Sequence, residues 1–266
     1  MTTFEPRLNG FRSGFVALIG RPNVGKSTLL NQLVGKKVAI TSPVAQTTRN
    51  RLKAILTTQN AQLIIVDTPG IHKPHHLLGE RLVKSARDSI GEVDLVVVMF
   101  DCSVSPGRGD KFIVELLRNK KIPVLATLNK CDLIKKDSFH LRKTEYEKFL
   151  ENYSWPISPC SAINGEGCKD LIERISDHLP IGPHLYPPNM ISDQPERILL
   201  AELIREQVLL HTREEIPHSV AVLIDRIEEI PLKGNTKKNN FRTAVLATVL
   251  VERKSQKGIL IGKGGQ

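Results

Sequence analysis

The sequence predicts an α/β fold with a mostly parallel sheet flanked by helices, followed by a smaller α+β domain. From residue 15 to residue 179, short apolar runs alternate with longer amphipathic stretches, as in parallel strands joined by crossover helices. The alternation stops at a segment rich in proline and glycine, and the order then becomes helix, strand, strand. At 266 residues, the chain is long enough for two domains.

The first domain is predicted to contain four buried strands, because four short apolar runs follow one another at the spacing of βαβ units. These runs are Phe15–Ile19, Leu63–Val66, Leu95–Phe100 and Ile122–Leu128. A further short strand is expected around Trp155–Pro159, and the more polar stretch Arg51–Thr58 is compatible with an antiparallel edge strand. The helices are predicted at Lys26–Val34, Leu78–Ile90, Lys111–Asn119, Leu141–Tyr153 and Cys168–Leu179.

The domain boundaries are predicted from the prolines and glycines that follow residue 179, since neither residue type favours a helix or strand interior. We expect a nucleotide-binding domain over residues 1–181, a linker over 182–195 and a second domain over 196–266. The second domain is predicted to contain a helix at Glu196–Leu210 and strands at Ser219–Ile230 and Thr243–Glu252. Because the chain stops at Gln266, directly after a glycine-rich loop, we expect this domain to be incomplete.

The composition favours a protein with an anionic partner and argues against a membrane-spanning or secreted protein. A formal net charge of +10 indicates an anionic partner, and residues 233–266 carry eight basic residues against the single acid Glu252. No apolar run approaches the roughly 20 residues that span a bilayer, and the N-terminus lacks the apolar core of a signal peptide. Four cysteines without C-x-x-C spacing are expected to be reduced thiols. We therefore expect a cytoplasmic protein.

A phosphate-binding loop is predicted between the first strand and the first helix. The motif G-x-x-x-x-G-K-[ST] is matched by Gly20, Arg21, Pro22, Asn23, Val24, Gly25, Lys26 and Ser27. Glycines let the backbone wrap around phosphate oxygens, and the amides at the helix N-terminus favour negative charge. Lys26 is expected to reach the β- and γ-phosphates, and Ser27 to supply an oxygen ligand to Mg²⁺.

A second motif, D-x-x-G, follows the strand Leu63–Val66. It consists of Asp67, Thr68, Pro69 and Gly70. Asp67 is expected to hold Mg²⁺ through water, and the amide of Gly70 to sense the γ-phosphate. The next residue is Ile71, where Ras-type GTPases carry a glutamine that orients the attacking water. An aliphatic side chain cannot form that hydrogen bond, so we expect slow hydrolysis that depends on a partner or on K⁺.

A third motif predicts that the base is guanine. Asn129, Lys130, Cys131 and Asp132 follow the strand Ile122–Leu128, at the carboxyl edge where α/β sheets bind ligands. The carboxylate of Asp132 can accept from both the ring N–H and the amino group of guanine, a pattern that adenine does not offer. The pair Ser161 and Ala162, after the strand at Trp155–Pro159, is expected to complete the base pocket through a backbone amide.

Together these strings resemble the motifs of the translation-factor-related GTPases and, most specifically, of the Era family. The matching strings are GRPNVGKS, QTTR (Gln46–Arg49), DTPGIHKP, NKCD and SAINGEG, and the tail resembles a type II KH domain, which binds RNA. The resemblance implies that Thr48 closes over Mg²⁺, with Thr47 as the alternative, and that Lys26, Thr48, Gly70 and Asn23 form the catalytic set. It also implies that Asn23 coordinates K⁺ in place of an arginine finger.

The glycine loop of the tail is a candidate RNA contact. Gly262, Lys263, Gly264 and Gly265 fit the G-x-x-G loop by which KH domains clamp single-stranded RNA, and an apolar run at Gly258–Ile261 precedes them. Lys263 adds a positive charge at an inner position of the loop, where it can lie against phosphate. A flexible glycine-rich end is the structural alternative.

The resemblance implies a GTPase that binds GTP and GDP and small-subunit ribosomal RNA near its 3′ end. Such a protein would act in assembly of the 30S subunit and in rRNA maturation, as a monomer in the cytoplasm with weak peripheral association at the inner face of the membrane. One alternative is an RNA-binding module whose nucleotide site does not hydrolyse GTP. Another is a GTPase of tRNA modification or membrane traffic.

Overall fold

The structure is a computed structural model that describes residues 10–41, 52–71, 77–212, 216–231, 241–262 and 264. The chain divides into two compact units, with the boundary between Asp193 and Gln194.

The first unit is a six-stranded sheet with helices on both faces, which confirms the predicted fold class. The strand order is β2-β3-β1-β4-β5-β6, and every neighbouring pair is parallel except β2 and β3. The strands are β1 (Arg12–Gly20), β2 (Leu52–Thr57), β3 (Ala61–Asp67), β4 (Leu95–Asp101), β5 (Val124–Asn129) and β6 (Ile157–Pro159). The helices are α1 (Lys26–Val34), α2 (Leu77–Ile90), α3 (Arg108–Leu117), α4 (Lys136–Leu150) and α5 (Cys168–His178).

The central strands are mostly apolar because both faces of the sheet are covered. Successive residues of β1 enter opposite cores: Val16 and Leu18 pack under α1 and α5, and Ala17 and Ile19 pack on the side of α2 to α4. The edge strand β2 is only half buried, which explains its more polar sequence. The sheet therefore presents a fixed carboxyl edge, on which the loops after β1, β3 and β5 meet.

Most of the predicted linker packs along the edge of the first unit. Both polar ends of the buried Gln62 side chain bind it: Oε1 accepts from the N–H groups of Leu185 (2.7 Å) and Tyr186 (2.9 Å), and Nε2 donates to the carbonyl of Tyr186 (2.8 Å). Further along, the hydroxyl of Ser192 donates to the carbonyl of Lys53 (2.9 Å). Residues 182–193 thus belong to the first unit.

The second unit contains α6 (Glu196–His211), an antiparallel pair of strands and a short final helix. The strands β7 (Val220–Pro231) and β8 (Phe241–Val251) pair with a register shift between Ile224 and Arg226. The last helix, α7 (Lys254–Ile261), includes the apolar run at Gly258–Ile261. Helix, strand, strand is the predicted order, and α7 was not predicted.

Candidate nucleotide-binding site

The phosphate loop, residues 20–27, lies between β1 and α1 as the sequence predicts. Gly25 has a φ of 98°, a left-handed conformation that side chains rarely adopt. A Cβ at Gly25 would also lie 2.3 Å from Nδ2 of Asn129, so that residue must be glycine for the loop to approach β5. The N–H of Ile71 donates to the carbonyl of Gly20 (3.0 Å) and joins the segment after β3 to the start of the loop.

The ammonium group of Lys26 points back into the loop. Its Nζ donates to the carbonyl oxygens of Gly20 (3.2 Å) and Arg21 (3.0 Å). Burial lowers the pKa of Lys26 to about 8, against the opposing effect of the Asp67 carboxylate. Phosphate oxygens would restore the preference for the charged form, so this buried lysine is suited to an anionic ligand.

Ser27 and Asp67 bring together two oxygen-bearing groups of the kind that hold magnesium. The hydroxyl of Ser27 donates to Oδ2 of Asp67 (2.8 Å), and Asp67 is fully buried at the end of β3. A hydroxyl and a carboxylate are hard ligands, and Mg²⁺ is usually held by one or two such groups together with phosphates and water. Groups of three or more histidine, cysteine or acidic residues that could hold a metal are absent from the described part of the chain. The pair therefore fits Mg²⁺ held jointly with a nucleotide.

The D-x-x-G segment packs directly on the phosphate loop. A Cβ at Gly70 would lie 2.8 Å from both N and Cα of Pro22, so only glycine permits this contact. Thr68 is buried, and its hydroxyl donates to the carbonyl of Leu18 (2.6 Å). The side chain of Ile71 is 1% exposed and packs in the core. Its contribution to the site is thus made through the backbone, and the side chain does not face a reacting water.

Asn129 joins the phosphate loop to the loop after β6. Its Nδ2 donates to the carbonyl of Val24 (2.8 Å), and its Oδ1 accepts from the N–H of Ala162 (2.9 Å). The side chain is almost fully buried. Because an amide nitrogen carries two N–H groups, Asn129 can hold Val24 with one and offer the other to a base. Of the two backbone amides from which a base contact was expected, that of Ala162 here donates to Asn129, and that of Ser161 donates to the carbonyl of Glu166 (2.8 Å).

Asp132 is exposed, and the side chain of Ser161 orients it. Ser161 was predicted to contribute only through the backbone. The hydroxyl of the buried Ser161 donates to Oδ1 of Asp132 (2.5 Å), which fixes the carboxylate at the mouth of the site. Lys130, with a φ of 68°, extends its Nζ to Oδ2 of Asp101 (2.5 Å). Burial alone would raise the pKa of Asp101, but hydrogen bonds from Lys130 and Ser103 lower it.

Arg21 also has a partner that the sequence does not reveal. Its Nε lies 2.7 Å from Oδ1 of Asp110, a fully buried carboxylate whose Oδ2 also accepts from the N–H of Gly107 (2.8 Å) at the start of α3. Burial raises the pKa of Asp110, while Gly107 and Arg21 lower it. The guanidinium therefore anchors the phosphate loop to α3.

Several predicted site residues lie outside the described residues. These are Thr48, its alternative Thr47, Lys263 and Gly265. In the second unit, Gly262 has a φ of 71° and Gly264 a φ of 77°, values that favour glycine at both positions. A Cβ at Gly264 would meet no atom within 4 Å, so the backbone is open there. The N–H of Gly262 donates to the carbonyl of Gly258 (3.1 Å) and ends α7.

A phosphate loop, a serine and aspartate suited to Mg²⁺, and an N-K-x-D loop at the carboxyl edge of the same sheet are the features of a GTP-binding protein of the phosphate-loop class. A family described as 50S ribosome-binding GTPase matches residues 15–130, and the KH domain family matches residues 215–266. No described helix is both long enough and apolar enough to cross a membrane.

Comparison of the whole chain identifies a narrower family. GTPase Era of Synechocystis sp. is 55% identical over 96% of this chain and 78% of that protein. A crystal structure of Era with MgGDPNP and nucleotides 1506–1542 of 16S ribosomal RNA is 36% identical, with a TM-score of 0.85 over 96% of this chain and 84% of that one. A point variant of Aquifex aeolicus Era bound to GDP·AlF4⁻ is 37% identical, with a TM-score of 0.86 over 96% and 84%. The chain belongs to the Era family of GTPases, and it is therefore a GTP hydrolase.

Proposed function

We propose that this protein binds Mg²⁺ with GTP or GDP at residues 20–27, hydrolyses GTP slowly, and couples the nucleotide state to binding of small-subunit ribosomal RNA. The observation that carries the proposal is the Asn129 bridge, because it ties the phosphate loop to the Ser161–Ala162 loop through Val24 and Ala162. Mg²⁺ is held by Ser27 and Asp67, with Asp67 acting through water.

Slow turnover follows from position 71. The buried Ile71 side chain cannot orient water, so hydrolysis depends on Lys26, the metal, the amide of Gly70 and Thr48. A K⁺ ion held by Asn23 supplies further charge; Asn23 is exposed in the phosphate loop with a φ of 61°. Single-turnover phosphate release should therefore be faster in K⁺ than in Na⁺, and Asn23→Ala should remove that difference.

RNA binding is assigned to residues 196–266, and the relatives support small-subunit rRNA as the ligand. The Era protein crystallised with 16S rRNA nucleotides 1506–1542 covers 96% of this chain. The open backbone at Gly264 permits close approach of a sugar–phosphate chain. The biological role that follows is assembly of the 30S subunit and rRNA maturation.

The test measures phosphate release and RNA contacts on the same preparation of the full chain. We expect slow release of phosphate from GTP, its loss in Lys26→Ala, and crosslinks to the 3′ end of small-subunit rRNA that differ between GTP and GDP. Changing Lys263 and Gly264 to aspartate should remove the crosslinks and leave GDP binding unchanged. Absence of phosphate release would favour an RNA-binding module with an inactive nucleotide site. Crosslinks to tRNA, or no RNA crosslinks at all, would favour a GTPase of tRNA modification or membrane traffic.

We place the protein in the cytoplasm as a monomer, with weak peripheral attachment to the inner face of the membrane through the basic residues of the second unit. Sedimentation velocity should give a monomer. Pelleting with anionic vesicles should fall as salt rises, because the attraction to lipid is electrostatic.

A further inference from the structure

Two cysteines face each other beside the guanine-reading loop. Cys102 directly follows β4, Cys131 lies between Lys130 and Asp132, and the two Sγ atoms are 3.4 Å apart. The backbone holds them in place, since the N–H of Cys102 donates to the carbonyl of Asn129 (2.9 Å). A disulfide needs a sulfur separation of about 2.05 Å, so a small movement of one loop would bring the pair to bonding distance.

The two thiols differ in access and in acidity. Cys102 is fully buried, whereas Cys131 is half-buried and lines a depression of about 740 Å³ together with Asp132, Phe139 and His140. The hydrogen bond from Cys102 lowers the pKa of Cys131, against burial and the nearby carboxylates of Glu166 and Asp132, which raise it. Cys131 is therefore the thiol that an external reagent can reach.

We propose that Cys131 is a site of covalent modification by small disulfides, and that Cys102 converts the adduct into an intramolecular disulfide that weakens guanine-nucleotide binding. The effect on binding rests on the proposed guanine site, whereas the thiol chemistry does not.

The reaction is a thiol–disulfide exchange in two steps. The Cys131 thiolate attacks a small disulfide, RSSR, forming a mixed disulfide and releasing one thiolate, which takes up a proton. Cys102 then loses its proton and attacks the Cys131 sulfur, releasing the second RSH. The two protein thiols are oxidised and the small disulfide is reduced to two thiols, so no further oxidant is required.

The disulfide would alter the base site because Cys131 is covalently continuous with the residues that form it. Shortening the sulfur separation from 3.4 Å pulls Cys131 toward Cys102 and strains the hydrogen bond from its N–H to the carbonyl of Cys160 (3.2 Å). Asp132, the next residue, must hold its carboxylate in place to accept two hydrogen bonds. Loss of one such charge-assisted bond lowers affinity about tenfold or more.

The chain provides its own control in a second thiol pair. Cys160 and Cys168 are both buried, on either side of the Ser161–Ala162 loop. The Cys160 thiol donates to Oδ1 of Asn129 (3.6 Å), and the Cys168 thiol donates to the carbonyl of Ser161 (3.7 Å). Both thiols are almost inaccessible, whereas Cys131 is half-buried. Cys168→Ser should therefore react with a small disulfide as the parent protein does.

The experiment treats the full-length, nucleotide-free protein with oxidised glutathione and maps the products by peptide mass spectrometry. The parent should form a Cys102–Cys131 disulfide and lose GDP affinity about tenfold, with recovery on reduction. Cys102→Ser should instead retain one glutathione on Cys131, and Cys131→Ser should leave Cys102 unmodified.

Three results would overturn the proposal. They are absence of reaction at Cys131, reaction confined to Cys160 and Cys168, and formation of the Cys102–Cys131 disulfide with unchanged GDP affinity. Failure of the reduced protein to bind GDP would instead refute the proposed guanine site, because the mass measurement requires no nucleotide. The two failures are therefore distinguishable.

Discussion

Replacing Asn129 with alanine should destabilise the first unit and weaken nucleotide binding at the same time. The substitution removes the partner of the Val24 carbonyl (2.8 Å) and of the Ala162 N–H (2.9 Å), and both residues are buried. A buried polar group left without a partner costs about 1–3 kcal/mol, so the two losses together should lower the free energy of unfolding by about 2–6 kcal/mol. For a unit of this size, 1 kcal/mol corresponds to about 2–4 °C in Tm, which predicts a fall of at least about 4 °C.

A matched control is available two residues earlier on the same strand. Thr127 is also fully buried in β5, but among the described residues its hydroxyl has no hydrogen-bond partner. Thr127→Val should therefore leave Tm unchanged or raise it. Thermal unfolding of both nucleotide-free variants, with GDP affinity measured on the same samples, checks the prediction. If Asn129→Ala melts within about 2 °C of Thr127→Val, the bridge does not hold the two loops together.

Two further predictions concern the phosphate loop. Gly25→Ala should abolish measurable GDP binding, because the new Cβ would lie 2.3 Å from Nδ2 of Asn129. Gly35 also has a positive φ, but a Cβ there would meet no atom within 4 Å, so Gly35→Ala should retain GDP binding. Fluorescence titration with GDP measures both variants. Burial lowers the pKa of Lys26 from 10.5 to about 8, so between those pH values the unfolded chain binds more protons than the folded one. The unfolding free energy of the nucleotide-free protein should thus rise by up to about 3 kcal/mol as pH increases through this range, and denaturant titrations of Lys26→Met should lack that rise.

The sequence predicted the parts of the fold in which a local pattern and tertiary packing agree. The buried strands read as apolar runs because both faces of the sheet are covered, and the edge strand β2 was identified by its polarity. The starts of α1, α5 and α6 coincide with the predicted ones, whereas α3 and α4 begin earlier than predicted. Helix α4 begins at Lys136, before the predicted Leu141, because its first three residues are polar and exposed and only Phe139 of its first turn is half-buried.

Short helices without amphipathic character were missed altogether. Helix α7 spans only Lys254–Ile261, contains Gly258 and buries little beyond Gln256. Its apolar residues Ile259 and Ile261 are exposed, so no periodic face distinguishes it from a loop.

At the candidate site, the loops that carry motifs were predicted from the sequence, whereas the contacts between those loops were not. The phosphate loop and the base-reading loop follow fixed spacings, and the sequence predicted their places at the carboxyl edge of the sheet. Contacts between motifs could not be predicted, because residues such as Arg21 and Asp110 are far apart in the chain and match no pattern. The role of the Ser161 hydroxyl was missed for the same reason, since its partner Asp132 lies in a different loop.

The most direct test of the account is the nucleotide preference of Asp132→Asn. Xanthine keeps the ring N–H of guanine but carries an oxygen in place of the amino group, so an amide can accept from the first and donate to the second. The variant should lose GDP affinity about tenfold or more and should bind xanthosine diphosphate more tightly than the parent does. The control Asp137→Asn makes the same change of charge at an exposed position of α4, and it should leave the affinity for both nucleotides unchanged. Unchanged GDP affinity in Asp132→Asn would contradict the assignment of this residue as the guanine reader.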